Sequence, residues 1–239
     1  MSRITRWAKD AVRTVWFREG TSRMCFAGLY AGLVLEIGPQ MSSRMIVFYD
    51  AYEPEVSELL KRIVRPGMVV YDVGAHVGIH ALYMAKQLKR QGVVYAFEAW
   101  PDNYAVLERN VARNRGRVAE IVPVLGAVGD HGGVAGVSRG ASDGQHHLTQ
   151  TGERVDHEVQ SITLDGFCRD HEQQPAVILM DVEGRELDAL RGAKQLLENY
   201  HPKLILEHHG PERAARLVDW LFSMHYQVER LGGRHLYAE

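Results

Sequence analysis

The sequence predicts a doubly wound, Rossmann-like α/β fold, with a mostly parallel seven-stranded sheet finished by an antiparallel C-terminal strand. Three observations predict it. From about Tyr52 onward, short β-branched apolar runs alternate with longer amphipathic segments, the signature of βα units feeding a parallel sheet. Acidic residues and glycines gather at the ends of those runs, where an open α/β sheet binds its ligands. Finally, Gly232-Gly233 separates two strand-like runs, Tyr226 to Leu231 and Arg234 to Tyr237, as a hairpin turn does.

Taken in order, Pro54 opens and Pro66-Gly67 closes a helix carrying Val56, Leu59, Leu60 and Ile63 on one face. Met68 to Val73 reads as the first strand, followed by a glycine turn and a helix through Met84 and Leu88. Val93 to Phe97 is the second strand, ending at Glu98. Tyr104, Leu107 and Val111 recur at helical spacing after Pro101, and Ile121 to Leu125 is the third strand. The rhythm then breaks. Residues 131–160 are rich in Gly, Ser, Asp and His, with one strand-like piece from Val134 to Ser138, and read as an inserted hairpin or lid. Ala176 to Met180 and Leu204 to Leu206 are further buried strands. One helix carrying Leu187, Leu190 and Leu197 lies between them, and another follows through Leu217, Trp220, Leu221 and Met224.

The 239 residues divide into an extension, 1–50, helical and then a short strand, and a catalytic-size domain, 51–239. The formal charge of -2 gives no electrostatic reason to bind nucleic acid. Cys25 and Cys168 suggest neither a disulfide framework nor a thiolate metal site, which fits a reducing cytoplasm. The extension is basic through Arg3, Arg6, Lys9, Arg13, Arg18 and Arg23. Its uncharged run Met24 to Leu35 is about half the roughly 20 residues of a membrane span, so it reads as a docked helix. Trp7, Trp16 and Phe17 would allow a peripheral membrane contact, and the apolar run would suit a homodimer interface or a cover over the sheet.

Asp72, Gly74, Gly78, Glu98, Asp181, Glu183 and Glu207 all fall at strand ends. In Asp72-Val73-Gly74-Ala75-His76-Val77-Gly78 the glycines let the backbone turn sharply at a helix N-terminus, which favours an anionic or zwitterionic group. Asp72 beside that turn, and the lack of a full G-x-G-x-x-G, argue against a nicotinamide pyrophosphate. Glu98 is placed to take both hydroxyls of a ribose. Metal ligation is weakly signalled. His76 and His80 are four apart and Asp181, Glu183 and Glu207 are acidic together, so a divalent metal is allowed, but no metal ligand is predicted.

Tyr52-Glu53-Pro54-Glu55, Asp72 to Gly78, Ala96-Phe97-Glu98, Ala127-Val128-Gly129-Asp130 and Leu179-Met180-Asp181-Val182-Glu183-Gly184 followed by Glu186, in this order, resemble the FkbM family of methyltransferases. The antiparallel finish of the sheet is that of class I methyltransferases. The resemblance implies S-adenosylmethionine as cofactor and O-methylation of a hydroxyl on a sugar or natural-product small molecule. It assigns the cofactor to Asp72, Gly74, His76, Gly78 and Glu98, with Ala127 beside the adenine and Glu53, Ala75, Ala99 and Asp181 in the same set. Met180, Ala99-Trp100 and His76 depart from the family's usual lysine, proline and asparagine.

Transfer to an alcohol needs a base for its proton. His209 or Glu183 is the expected base, with Asp181 orienting substrate or the cofactor's amino group. The competing readings are an NAD-dependent oxidoreductase on the same fold class and a non-catalytic cofactor-binding regulatory subunit.

Overall fold

The computed structural model describes residues 20–26, 28–36, 52–139, 146–149 and 154–239. The chain forms two units, Met1–Tyr52 and Glu53–Glu239. In the first, β1 (Ser22–Met24) pairs antiparallel with β2 (Val34–Glu36). The run Met24 to Leu35 is therefore not the expected helix but the turn and flanks of a hairpin. Gly28 and Gly32 adopt φ of +71° and +86°, which breaks a helix, and Cys25 N–H donates to Leu33 O across the turn. Trp7, Trp16 and Phe17, with the predicted helical segment before them, lie outside the described residues.

The second unit begins with α1 (Pro54–Ile63), β3 (Val69–Val73), α2 (Ile79–Gln87), β4 (Val93–Glu98), α3 (Pro101–Asn114) and β5 (Glu120–Leu125). After an insertion come α4 (Leu164–His171), β10 (Val177–Met180), α5 (Glu186–Arg191), α6 (Lys194–Tyr200), β11 (Lys203–Glu207), α7 (Pro211–Ser223), β12 (Val228–Gly232) and β13 (His235–Ala238). Seven strands form one sheet in the order β12-β13-β11-β10-β3-β4-β5, and β13 runs antiparallel to both of its neighbours. The inner strands are buried on both faces, so they read as continuous apolar runs. Tyr71, Val73, Ile178, Met180, Leu204 and Leu206 point into one core with α4 to α7, while Val70, Leu179 and Ile205 between them face the other way.

The insertion is a second sheet, not a lone hairpin. β6 (Ala127–Val128), β7 (Gly133–Arg139), β8 (His146–Leu148) and β9 (His157–Ile162) stand in the order β6-β9-β7-β8. Trp100 anchors it, packed with Ala127, Val137 and Val159. Residues 140–145, the predicted polar covering, lie outside the described residues apart from their neighbour His146.

Two helices differ from expectation. The segment through Leu187, Leu190 and Leu197 is two helices: at the break Gly192 O accepts Asp165 N–H, and the Asp165 carboxylate accepts Gln195 and Leu196 N–H at the start of the second helix. The unpredicted α4 starts at Thr163, whose hydroxyl accepts from Gly166 N–H at 3.2 Å, a cap worth about 1 kcal/mol.

The chain enters the sheet at β3, lays β4 and β5 to one side, then returns to lay β10 and β11 on the other. The crevice outside the carboxyl ends of β3 and β10 is thus the topological switch point, where ligands of such sheets bind.

Candidate functional site

Gly74 is forced at that switch point. Its φ is +88°, and a Cβ there would lie 1.8 Å from Asp181 O, so only glycine lets the turn after β3 pass β10. Gly74 and Ala75 N–H both donate to Phe97 O, locking the turn to β4. Gly78, at φ +87°, is the N-cap of α2, and Val77 and Ile79 N–H make no backbone hydrogen bond among the described residues. Both stand at the N-terminal turn of α2, where backbone amides have no partner within the helix. His76 takes φ +53°, a left-handed conformation that Asn and His tolerate best among non-glycine residues. Glu53 and Glu183 are left-handed too, at +42° and +52°. Three predicted site residues thus carry backbone strain of the order of 1–3 kcal/mol each, the kind stored at functional sites.

Glu98 is clamped. His76 N–H donates to one carboxylate oxygen and Trp100 N–H to the other, each at 2.7 Å. The Asn103 side chain donates a third hydrogen bond to the carboxylate, which leaves one lone pair for a ligand hydroxyl. Burial pushes its pKa up to about 7 against the pull of those two amides. Ala99 and Ala127 pack beside it with Trp100. Asp72 is also buried, and its Oδ2 accepts no hydrogen bond from the described residues. Burial raises its pKa to about 7.

The expected catalytic residues meet across the ends of β10 and β11. His209 Nε2 lies 3.2 Å from Glu183 Oε2 and 3.7 Å from Asp181 Oδ1, and Nδ1 lies 3.2 Å from Glu186 Oε1. The hydrogen bonds to Glu183 and Glu186 raise the imidazole's pKa to about 10. Asp181 and Glu207 share a hydrogen bond, and burial first, then the charge of Asp181, pushes the Glu207 carboxyl up to about 8. Arg234 lies 2.5 Å from the other side of Glu207.

Contacts thus join predicted residues along the strand ends, His76 to Glu98, Gly74 to Asp181, and Asp181 and Glu183 to His209, while Ala99 and Ala127 pack with Trp100. Four neighbours were not predicted as site residues. Glu186, 1% exposed, was seen only as part of a motif. His80 was weighed as a partner of His76, but Nε2 pairs instead with Glu53 Oε2 at 2.8 Å. Arg234 and His235 carried no signal, because only the register Glu207↔His235 brings the start of β13 to the end of β11.

This sheet order, with its glycine turn and acidic strand ends, defines a class I methyltransferase, the class whose methyl donor is S-adenosylmethionine. Residues 72–228 match the family model described as the methyltransferase FkbM domain, so the chain belongs to the FkbM family of methyltransferases. That membership displaces the oxidoreductase reading. Among curated relatives, the chain is 27% identical over 171 residues to the hexuronic acid methyltransferase AglP of Haloferax volcanii, covering 70% of this chain and 67% of that protein. It is 44% identical over 73 residues to the 31-O-demethyl-FK506 methyltransferase FkbM of Streptomyces tacrolimicus, 29% of this chain and 25% of that one. A solved FkbM methyltransferase from Methylobacillus flagellatus KT aligns with a TM-score of 0.56 at 18% identity, over 98% of this chain and 60% of the other. Fibrillarin from Aeropyrum pernix, solved with natively bound S-adenosyl-L-methionine, aligns with a TM-score of 0.51 at 15% identity, over 77% of this chain and 73% of the other. These two likenesses speak to fold. The chain thus spans about two thirds of AglP, a quarter of the FK506 enzyme and three fifths of the solved FkbM protein. Among the described residues no helix is long and apolar enough to cross a membrane.

Proposed function

We propose that this protein transfers a methyl group from S-adenosylmethionine to a hydroxyl of a sugar or a similar polyhydroxylated small molecule. The donor's amino-acid end fits the crevice: the amides of Val77 and Ile79 suit its carboxylate, and the orphaned, buried Oδ2 of Asp72 suits its ammonium group. Glu98 accepts a ribose hydroxyl on its remaining lone pair, with Ala127 beside the adenine. When bound, the donor supplies an electrophilic methyl group on a sulfonium.

The observation that carries the catalytic part is His209, whose two ring nitrogens both face carboxylates. Both nitrogens are therefore donors, and neither offers a lone pair to a substrate. The proton acceptor is then Glu183, with His209 fixing its orientation and Glu186 fixing His209. As the acceptor oxygen bonds to the methyl carbon and the carbon–sulfur bond breaks, the hydroxyl proton passes to the Glu183 carboxylate. Asp181 orients the acceptor. The names of the curated relatives, one acting on a hexuronic acid and one on a 31-O position, favour an oxygen acceptor on a polyhydroxylated molecule.

The test is incubation of the purified chain with methyl-labelled S-adenosylmethionine and a panel of hexosides and hexuronosides. Label that enters the glycoside and survives mild alkali is an ether at a hydroxyl. Label released by mild alkali is a carboxylate ester and overturns the hydroxyl reading.

A further inference from the structure

Three side chains from separate segments converge where α1 meets β11 and β13. Glu53 precedes α1, Glu207 ends β11, and His235 opens β13 directly opposite Glu207. One potential ligand atom from each lies within 4.8 Å of the other two. His235 Nε2 stands 3.6 Å from Glu53 Oε2 and 3.8 Å from Glu207 Oε2.

Those separations are too long for hydrogen bonds. Yet His235 is only 6% exposed, and its Nδ1 is buried with no hydrogen bond from the described residues. Nε2, on the opposite edge of the ring from Nδ1, points between the two carboxylates at 3.6 and 3.8 Å without bonding to either, a gap that a shared partner would close. The spacing suggests which. Atoms each ~2.1 Å from a common tetrahedral centre stand ~3.4 Å apart, a few tenths of an ångström short of the 3.6 and 3.8 Å that separate His235 Nε2 from the two carboxylate oxygens.

We propose that Glu53 Oε2, Glu207 Oε2 and His235 Nε2 bind a divalent transition cation of the zinc and manganese type. The imidazole ligand selects such ions over magnesium and calcium, which take oxygen ligands. Three protein ligands leave positions open for water or a substrate oxygen, as in catalytic metal sites. The surroundings have the layout of an outer ligand shell. Glu55 Oε1 lies on the Nδ1 side of His235 at 3.6 Å, beyond hydrogen-bond reach but the nearest carboxylate to that nitrogen, and His80 Nε2 steadies Glu53 at 2.8 Å. Arg234 holds the Oε1 side of Glu207, which leaves Oε2 turned to His235. β11 neighbours β10 in the sheet, so the cation would stand one strand beyond Asp181. There it would bind an acceptor hydroxyl and make it more acidic. That consequence rests on the proposed function; the binding site itself does not.

The experiment uses the full chain, stripped of metal and free of methyl donor and acceptor, so its outcome is independent of donor binding. Titration with Zn2+ alone is expected to give one tight site per chain, with affinity lowered at least ~100-fold in both His235→Gln and Glu53→Gln, each checked for folding by circular dichroism. Pulsed electron paramagnetic resonance of Mn2+ on the wild-type chain is expected to show coupling to an imidazole nitrogen, which needs no variant. Absence of Zn2+ binding at about 100 µM, or Mn2+ bound without nitrogen coupling, would overturn the site. So would binding that survives His235→Gln and is lost in His209→Asn, which would move the ion to Asp181, Glu186 and His209.

Discussion

The buried carboxylate of Glu186 reaches His209 Nδ1 at 3.2 Å, and the same oxygen accepts Gly184 N–H at 2.9 Å. One atom therefore fixes both the turn after β10 and the imidazole after β11. If Glu183 takes the acceptor proton, Glu186 acts through His209 and never touches substrate. Glu186→Gln is expected to lower kcat about 10- to 100-fold while the KM for S-adenosylmethionine stays within about twofold, as steady-state kinetics would read. Equal losses in both parameters would make Glu186 a donor-site residue instead.

Glu183 itself faces a sharper test. Glu183→Gln keeps the side chain's shape but removes its proton affinity, so kcat should fall by about 10²- to 10⁴-fold with affinity for S-adenosylhomocysteine retained. Near-normal turnover would return the base role to another group at the strand ends.

Glu98 links donor binding to pH. Burial lifts its pKa from 4.5 to about 7, so the folded state prefers the neutral carboxyl. Its contribution to stability is fully present below about pH 4.5 and is lost as pH rises through about 7, a span worth at most about 3 kcal/mol. In urea unfolding without ligand, the wild type should lose stability relative to Glu98→Gln between pH 5 and pH 8. The same variant should bind S-adenosylhomocysteine about 10- to 100-fold more weakly, since a charge-assisted bond to a ribose hydroxyl is gone.

Gly74 tests the crevice wall. Gly74→Ala must relieve a 1.8 Å contact with Asp181 O at a left-handed φ. A loss of about 2–4 kcal/mol in unfolding free energy is expected, against about 0.5 kcal/mol for an ordinary surface change.

The sheet was legible in the sequence because its inner strands are buried on both sides. Val69–Val73, Val93–Glu98, Val177–Met180 and Lys203–Glu207 stand within a residue or two of where their apolar runs put them. That the candidate residues gather was legible for a related reason, since residues at strand ends share one edge of the sheet by topology alone. What could not be read depends on distant contacts. The break between α5 and α6 is bridged by Asp165, which bonds to Gly192, Gln195 and Leu196 from a helix earlier in the chain. Gly28 and Gly32 were visible, but a twelve-residue apolar run outweighed them, and the hairpin was missed. His235 joined the site only through a register that no local pattern encodes.

The decisive measurement is calorimetric titration of the purified chain with S-adenosylhomocysteine, beside Asp72→Asn and Glu98→Gln. Saturable binding to one site per chain, with Kd of the order of 10 µM and weakening in both variants, is expected if these two carboxylates hold the donor. No heat at millimolar ligand, or equal affinity in wild type and both variants, would contradict it.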